Sequence, residues 1–342
     1  MLFNSIPLST WLELVKTKYK DWPVKPSSPD GRDWPLQAIT DVLQIADAAS
    51  LRHYNTGILN QYQSPLCAAY SIVSILHAYF GLPPGTLSPR FVYWQAKLID
   101  GIPDQDGTTL RAVLQVVQKI GACPESLCPS WPDWSKPVFT AEMLAEAAKY
   151  RIKAYARLNI GTLADIEAAI ASGRMVLAGS LVTSDDWADG WILRPEGTWR
   201  GGHATVFDQY DKGLSFEGYQ RFTGGPNSWG TGWGLDGYYE MAEAYATWKD
   251  LDFGLTALWE AWAVEFDSPF TPKIPAQVFE FDSAPVIDSV TDRTMLELRG
   301  LANVTGAQRI DWDGAEQKVT LEYPDRTVTL WIGKKEYQVT AK

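Results

Sequence analysis

The chain has few cysteines and few histidines: three of each among 342 residues. Three cysteines cannot supply the paired framework that holds small secreted proteins together. We expect Cys123 and Cys128 to be buried thiols, with a bond between them as the alternative. A zinc site at these two cysteines is not expected, because no histidine pair lies nearby to complete four ligands.

An excess of positive charge is also missing, since 30 Lys and Arg stand against 41 Asp and Glu, for a net charge of −11. Nucleic acids and anionic membrane surfaces bind basic patches, so neither is an expected partner. No apolar run approaches the ~18–20 residues of a membrane span. Residues 1–7 have neither the basic start nor the apolar stretch of a secretion signal, which indicates synthesis in the cytoplasm.

What the sequence does contain is a cysteine at the predicted start of a helix. Residues 60–66 are polar and turn-prone, and residues 67–80 show the apolar spacing of a helix that Gly81 ends. Unpaired N–H groups and the helix dipole favour the thiolate of Cys67, which is the nucleophilic form. Gln61, six residues upstream, is placed to donate to an oxyanion. A lone cysteine on an apolar helix is nevertheless more often a core residue.

Two later segments favour the catalytic interpretation of Cys67. Residues 201–206 read Gly-Gly-His-Ala-Thr-Val, and residues 227–239 begin Asn-Ser-Trp-Gly and hold further glycines and aromatics. With the Cys67 stretch, and in this order, they resemble the three signature regions of papain-like cysteine peptidases. The resemblance covers roughly residues 51–265. It implies an α+β fold of two lobes, a helical one followed by a β-rich one, with the site in the cleft between them.

The same resemblance assigns roles to individual residues. Cys67 is the nucleophile, His203 the general base, and Asn227 the group that orients the imidazole. Gln61 and the Cys67 backbone N–H hold the oxyanion, and Trp229 shields the Asn–His bond. No metal or cofactor is implied.

The other two histidines are poor candidates for the base. His77 lies ten residues after Cys67 on the same predicted helix, roughly 15 Å along its axis, which is too far for a hydrogen bond. His53 lies in a segment without a pattern and matches no position of the family.

The resemblance also places Gly107 and Gly202 beside the substrate, where glycine lets a peptide backbone approach. Two departures from the family pattern occur near the site. The family usually has two glycines where this chain has Asp106-Gly107, and it commonly has Trp where this chain has Ala68. The first departure weakens the expected alignment of substrate, and the second removes bulk without removing a catalytic group.

Residues 1–50 are predicted to form an N-terminal extension packed on the body. A helix is expected over residues 9–20, with Thr10 and Glu13 at the spacing of a capping box. Only 66 residues precede Cys67, which is too few for a full inhibitory propeptide, although a short self-blocking segment fits.

Further helices and strands are predicted from capping residues, prolines and apolar runs along the chain. Helices are expected after Ser88-Pro89, from Thr109 to Ile120 and from Thr162 to about residue 171. Strands are expected over residues 175–182 and 203–210 and around Tyr238. Residues 184–200 hold three tryptophans and are expected to form a long loop near the site.

Prolines in residues 266–276 predict a linker, and residues 277–342 a separate small module. Alternating apolar residues predict a hairpin over 319–332, and residues 293–302 a helix. The module resembles the stalk domains related to the copper amine oxidase N-terminal domain, but it has no histidine or cysteine, so copper chemistry does not follow. A plain solubilising β-domain is the alternative.

The expected function is hydrolysis of peptide bonds in a peptide or protein substrate. A catalytically silent papain-like component of a particle is one alternative. A peptidoglycan cross-bridge endopeptidase is another, disfavoured because such enzymes usually lack the Asn-Ser-Trp-Gly stretch. The C-terminal module indicates a particle or cell-envelope partner, reached by assembly into a bacteriophage virion or by a non-classical export route.

Overall fold

The computed structural model describes residues 7–28, 30, 33, 45–250 and 255–272, and strands at 309–313, 318–322, 326–331 and 337–341. The chain divides into two compact units, Met1–Pro272 and Lys273–Lys342. None of the described helices is long and apolar enough to cross a membrane.

Helices dominate the first half of the first unit. Their bounds are α1 Leu8–Thr17, α2 Cys67–Phe80, α3 Pro89–Lys97, α4 Leu110–Lys119, α5 Ala141–Ala147, α6 Ala164–Ala171 and α7 Glu243–Ala246, with a 3₁₀ turn at Arg52–Tyr54. Helix α2 is buried along most of its length. It ends at Gly81, whose φ of 64° lets its N–H donate to the His77 carbonyl.

Side-chain caps set the starts of α3 and α4 as the sequence predicts. Ser88 accepts a hydrogen bond from the Phe91 N–H, and Thr109 accepts one from the Ala112 N–H. The capping box predicted for α1 is wrong. That helix begins at Leu8 behind Pro7, so Thr10 lies inside it.

Two sheets, built mainly of antiparallel pairs, lie largely in the second half of this unit. Their strands are β2 Ala48–Ser50, β4 Ala154–Arg157, β5 Val176–Thr183, β6 Trp191–Ile192, β7 Trp199–Phe207, β8 Gln209–Phe216, β9 Tyr219–Pro226, β10 Tyr238–Ala242 and β13 Leu258–Glu265. The first sheet has the strand order β4-β13-β5-β7, and the second has the order β2-β8-β9-β10-β6, in which β6 and β10 are parallel.

Helix α2 packs against strand β7, and this contact joins the helical half to the sheet half. The Ser71 hydroxyl on α2 donates to the Ala204 carbonyl of β7 at 2.9 Å, in a buried setting. Since Cys67 starts α2 and His203 precedes Ala204, the contact brings the two predicted catalytic segments together.

A short parallel pairing ties the N-terminal segment to the helical half. Strand β1, Val24–Lys25, pairs with β3, Thr108–Thr109, directly before α4. A second short pair joins β11, Lys249–Asp250, to β12, Leu255–Thr256.

The second unit contains an antiparallel meander of β14 Arg309–Asp313, β15 Lys318–Glu322, β16 Arg326–Trp331 and β17 Tyr337–Ala341. The predicted hairpin is confirmed, with Val319 opposite Leu330. The helix predicted over residues 293–302 lies outside the described residues.

Candidate active site

The structure places Cys67 as the first residue of α2 and buries it completely. Backbone N–H groups of Ala204 and Ala68 face its sulfur. The position at the helix start is therefore as predicted, and strand β7 lies opposite the thiol.

His203 on β7 and Asn227, which follows β9, form the second part of the site. His203 Nε2 lies 2.8 Å from Asn227 Oδ1, and both side chains are buried. An amide oxygen only accepts, so Nε2 carries the proton and Nδ1 remains available as a proton acceptor. The Asn227 oxygen also accepts from the Ser228 N–H, which fixes the amide.

Two tryptophans enclose the imidazole. Trp229, which the resemblance assigns to shielding the Asn–His bond, stacks on His203 with ring centres 4.6 Å apart. Trp187 meets the same ring edge-on at 5.7 Å and is held by its N–H to the Tyr245 hydroxyl. Sequence reasoning placed Trp187 only in a loop near the site. The density of tryptophan among Asp and Gly was the only signal for it.

Gln61 is tied to the segment that carries Asn227. Its backbone N–H donates to the Ser228 carbonyl at 2.8 Å, and its side-chain oxygen accepts from the Ser228 hydroxyl at 2.6 Å. Its side-chain nitrogen donates one proton to the Ser64 carbonyl, which leaves a second proton for an oxyanion. Gln63, a second glutamine side chain two residues on, is exposed.

In the state that the structure describes, burial opposes the thiolate expected at Cys67. Burial raises the pKa of Cys67 to about 11, because it outweighs the facing N–H groups and the nearby charge of Lys25. Burial also lowers the pKa of His203 to about 4. Thiol and imidazole are therefore both neutral near pH 7.

The chain's own residues 22–25 lie against both glycines that are predicted to face the substrate. A β-carbon added at Gly107 would lie 2.5 Å from the carbonyl oxygens of both Trp22 and Pro23. One added at Gly202 would lie 2.7 Å from the Val24 carbonyl oxygen and 2.8 Å from the Trp22 ring. The two glycines predicted to face substrate backbone thus face this segment.

Lys25 fixes the segment in the cleft. Its buried ammonium donates to the Trp22 carbonyl at 2.7 Å and to the Asp106 carbonyl. Burial, followed by the charge of Lys97, lowers the pKa of Lys25 to about 8. Residues 22–25 thus lie where the short self-blocking segment that the sequence allows would lie.

The remaining histidines and cysteines lie apart from this arrangement. His77 is buried and accepts a hydrogen bond from the Leu87 N–H at 3.0 Å, a structural role, whereas His53 is exposed. Cys123 and Cys128 are free, buried thiols in hydrogen-bonding contact with each other. Among the described residues, no group of three or more His, Cys, Asp or Glu side chains is arranged to hold a metal ion.

Comparison with solved structures identifies the fold as that of papain-like cysteine peptidases. Xylellain, a cysteine protease from Xylella fastidiosa, superposes with a TM-score of 0.59 at 20% identity, over 73% of this chain and 97% of that one. The proform of the ragweed pollen cysteine protease Amb a 11 gives 0.52 at 19% identity, over 68% and 70%.

Two sequence relationships accompany the fold. An uncharacterised peptidase C1-like protein of Acanthamoeba polyphaga mimivirus is 26% identical over 182 residues, 48% of this chain. The match spans little more than half of that relative, 56% of its length. Residues 273–342 match the family described as Copper amine oxidase N-terminal domain, the likeness expected for the C-terminal module.

Proposed function

We propose that this chain is a thiol-dependent peptidase that cleaves peptide bonds through Cys67, His203 and Asn227. The observation that carries the proposal is the buried 2.8 Å contact of Asn227 with His203, whose strand packs against the helix that begins at Cys67. The three residues supply a nucleophile, a base with a free Nδ1 and a group that orients the base.

The proposed reaction is acyl transfer. The Cys67 thiol passes its proton to His203 Nδ1 as the sulfur attacks the peptide carbonyl carbon. Gln61 Nε2 and the Cys67 backbone N–H donate to the resulting oxyanion. The imidazolium returns the proton to the departing amine, which leaves a thioester. His203 then takes a proton from water as the hydroxide attacks the thioester carbon. The carbon–sulfur bond breaks, the acid leaves, and the imidazolium returns its proton to the sulfur.

The proposal includes a latent state. With Trp22–Lys25 against Gly107 and Gly202, no substrate backbone reaches those glycines, so activity requires this segment to leave the cleft. The neutral thiol and imidazole belong to the covered state. Water that enters on opening removes the burial that holds the two pKa values apart.

Peptide hydrolysis by the full chain tests the function. The Lys25→Ala chain, in which the ammonium no longer binds the Asp106 carbonyl and the segment loses this tie to the body, serves as the opened parent. We expect it to cleave fluorogenic peptides, and Cys67→Ala in the same background to lose all turnover. Cys123→Ala, a change at a buried thiol away from the site, is the matched control and should retain activity.

The assignment fails if Cys67→Ala keeps its turnover, or if an epoxide inhibitor of thiol proteases labels Cys123 or Cys128 instead of Cys67. A folded, opened parent without any turnover, and without epoxide labelling at Cys67, would indicate a catalytically silent protein.

A further inference from the structure

A column of stacked aromatic rings begins at the loop that carries Gln61. Tyr62 stacks on Trp131 with ring centres 4.4 Å apart, and Trp131 stacks on Trp134 at 5.5 Å, with interplanar angles of 24° and 15°. The Trp134 carbonyl accepts from the Trp94 indole on α3, which fixes the far end of the column to the body.

The end of the column nearest the site is open. Tyr62 is 54% exposed, although it directly follows the buried Gln61. Since one of its faces lies on Trp131, that exposure includes the outer face of the ring. Large exposed aromatics next to a catalytic loop are typical of binding surfaces rather than of solvated ones.

The backbone holds Tyr62 in this position at a cost. Its φ is 50°, in the left-handed region that non-glycine residues seldom adopt. The Asn60 side chain accepts from the Tyr62 N–H at 2.8 Å and closes the turn. Strain of this kind at a bulky residue persists where the surrounding structure uses the side chain.

The chemistry of the open face favours a planar cation. Aromatic ring faces carry partial negative charge and attract cations, and the guanidinium of arginine also stacks flat on a ring. Beside the column, Arg90 of α3 pairs with Asp133, which lies between Trp131 and Trp134. The net charge of −11 adds an attractive field around the whole protein.

We propose that Tyr62 and Trp131 form a subsite that binds an arginine side chain of the peptide substrate. This rests on the proposed peptidase function and names the preferred substrate class. The column continues directly from the oxyanion loop, so a substrate held by Gln61 passes the open Tyr62 face. Trp131 supports Tyr62 from behind and sets its plane.

Hydrolysis of matched peptides tests the subsite. In the opened Lys25→Ala parent, peptides carry Arg, Lys, citrulline or Phe in turn at each position on either side of the cleaved bond. Citrulline keeps the shape of arginine and removes its charge. At one position we expect kcat/KM for Arg to exceed that for citrulline by about 2- to 5-fold, the range of an exposed cation–ring contact. Lys should lie between them.

Variants of the column separate the ring from the backbone. Tyr62→Gly removes the ring and relieves the positive φ, so the fold is kept, and we expect the Arg-to-citrulline ratio to fall to near one. Tyr62→Phe keeps the ring and should keep the ratio. An unchanged ratio in Tyr62→Gly, or a preference for Phe over Arg at the same position, would overturn the proposal.

Binding distinguishes failure of the subsite from failure of the enzyme. Calorimetric titration of the Cys67→Ala, Lys25→Ala chain with the same peptides needs no turnover. Arg-selective binding that Tyr62→Gly removes, in a protein whose parent cleaves nothing, would sustain the subsite and defeat the peptidase. Cleavage without any Tyr62-dependent selectivity in rate or binding would do the reverse.

Discussion

The proposed roles of single residues in this site depend on which of their hydrogen-bonding atoms remain free. The Asn227 side-chain oxygen accepts a hydrogen bond from His203 Nε2, so Nδ1 carries no proton and can accept one. Gln61 uses one amide proton on Ser64 and keeps the other. Charge is set by burial rather than by the helix start, because the Cys67 pKa of about 11 is far above that of a free thiol. The position of Cys67 could be predicted from the sequence. Its charge state could not, since its burial depends on residues that are distant in the sequence.

Asn227→Ala in the opened Lys25→Ala parent tests the orienting role. We expect kcat to fall by on the order of 10- to 1000-fold with a smaller change in KM, since the orientation of the imidazole matters chiefly in the transition state. Steady-state kinetics on one peptide measures both. Asn159→Ala, an exposed change at a distance from the site, is the control. An Asn227 variant with unchanged kcat would remove it from the triad.

At the scale of elements, local patterns were predictable and distant pairings were not. Ser88 and Thr109 cap α3 and α4 as the sequence indicates, because a cap needs only its own turn. The two-residue pairing of β1 with β3 joins positions more than 80 residues apart and leaves no periodic signal. The contact of Trp187 with His203 also joins residues without a local sequence pattern. The enclosure of His203 by tryptophans and the position of residues 22–25 in the cleft could therefore not be predicted from the sequence.

The β1–β3 pairing predicts a difference in thiol reactivity. In the wild-type chain, labelling of Cys67 by iodoacetamide should stay slow at pH 7, because a thiol with a pKa of about 11 is almost wholly protonated. Lys25→Ala should accelerate labelling at pH 7 by about tenfold or more, since the hydrogen bond of its ammonium to the Asp106 carbonyl, which joins the segment to the body, is lost. Mass spectrometry of the Cys67 peptide gives the rates.

The direction in which the labelling profile shifts with pH distinguishes opening of the cleft from simple loss of the Lys25 charge. Release of the segment lowers the thiol pKa, so the labelling profile of Lys25→Ala should move to lower pH than that of the wild type. If Lys25→Ala removed only a positive charge while the cleft stayed closed, the profile would move to higher pH. Lys20→Ala, at an exposed lysine two residues before the segment, should leave both rate and profile unchanged.

At the scale of the whole molecule, the chain consists of two compact units with different matches. The first carries the proposed catalytic residues, and the second matches the Copper amine oxidase N-terminal domain family. We propose that the second unit positions the peptidase on a cell envelope or a particle such as a phage virion, since residues 277–342 contain no histidine or cysteine for nucleophilic chemistry.

Removal of residues 277–342 tests whether the second unit positions the peptidase without taking part in catalysis. Cleavage of a small peptide by the opened parent should stay within a few-fold, and co-sedimentation with envelope fragments or purified particles should be lost. Full retention on those fractions would refute the positioning role. A joint loss of peptide turnover and of thermal stability in the first unit would show that the module belongs to the catalytic body.

Trapping the acyl group measures the central claim most directly. The opened Lys25→Ala chain is mixed with an activated peptide ester, quenched in acid within the first turnover and mapped by mass spectrometry. The account predicts the added mass of the acyl group on Cys67, and little or none in His203→Ala, which lacks the base that takes the thiol proton during attack. An acyl group on Cys123 or Cys128, or peptide-bond hydrolysis that proceeds in the Cys67→Ala chain, would contradict it.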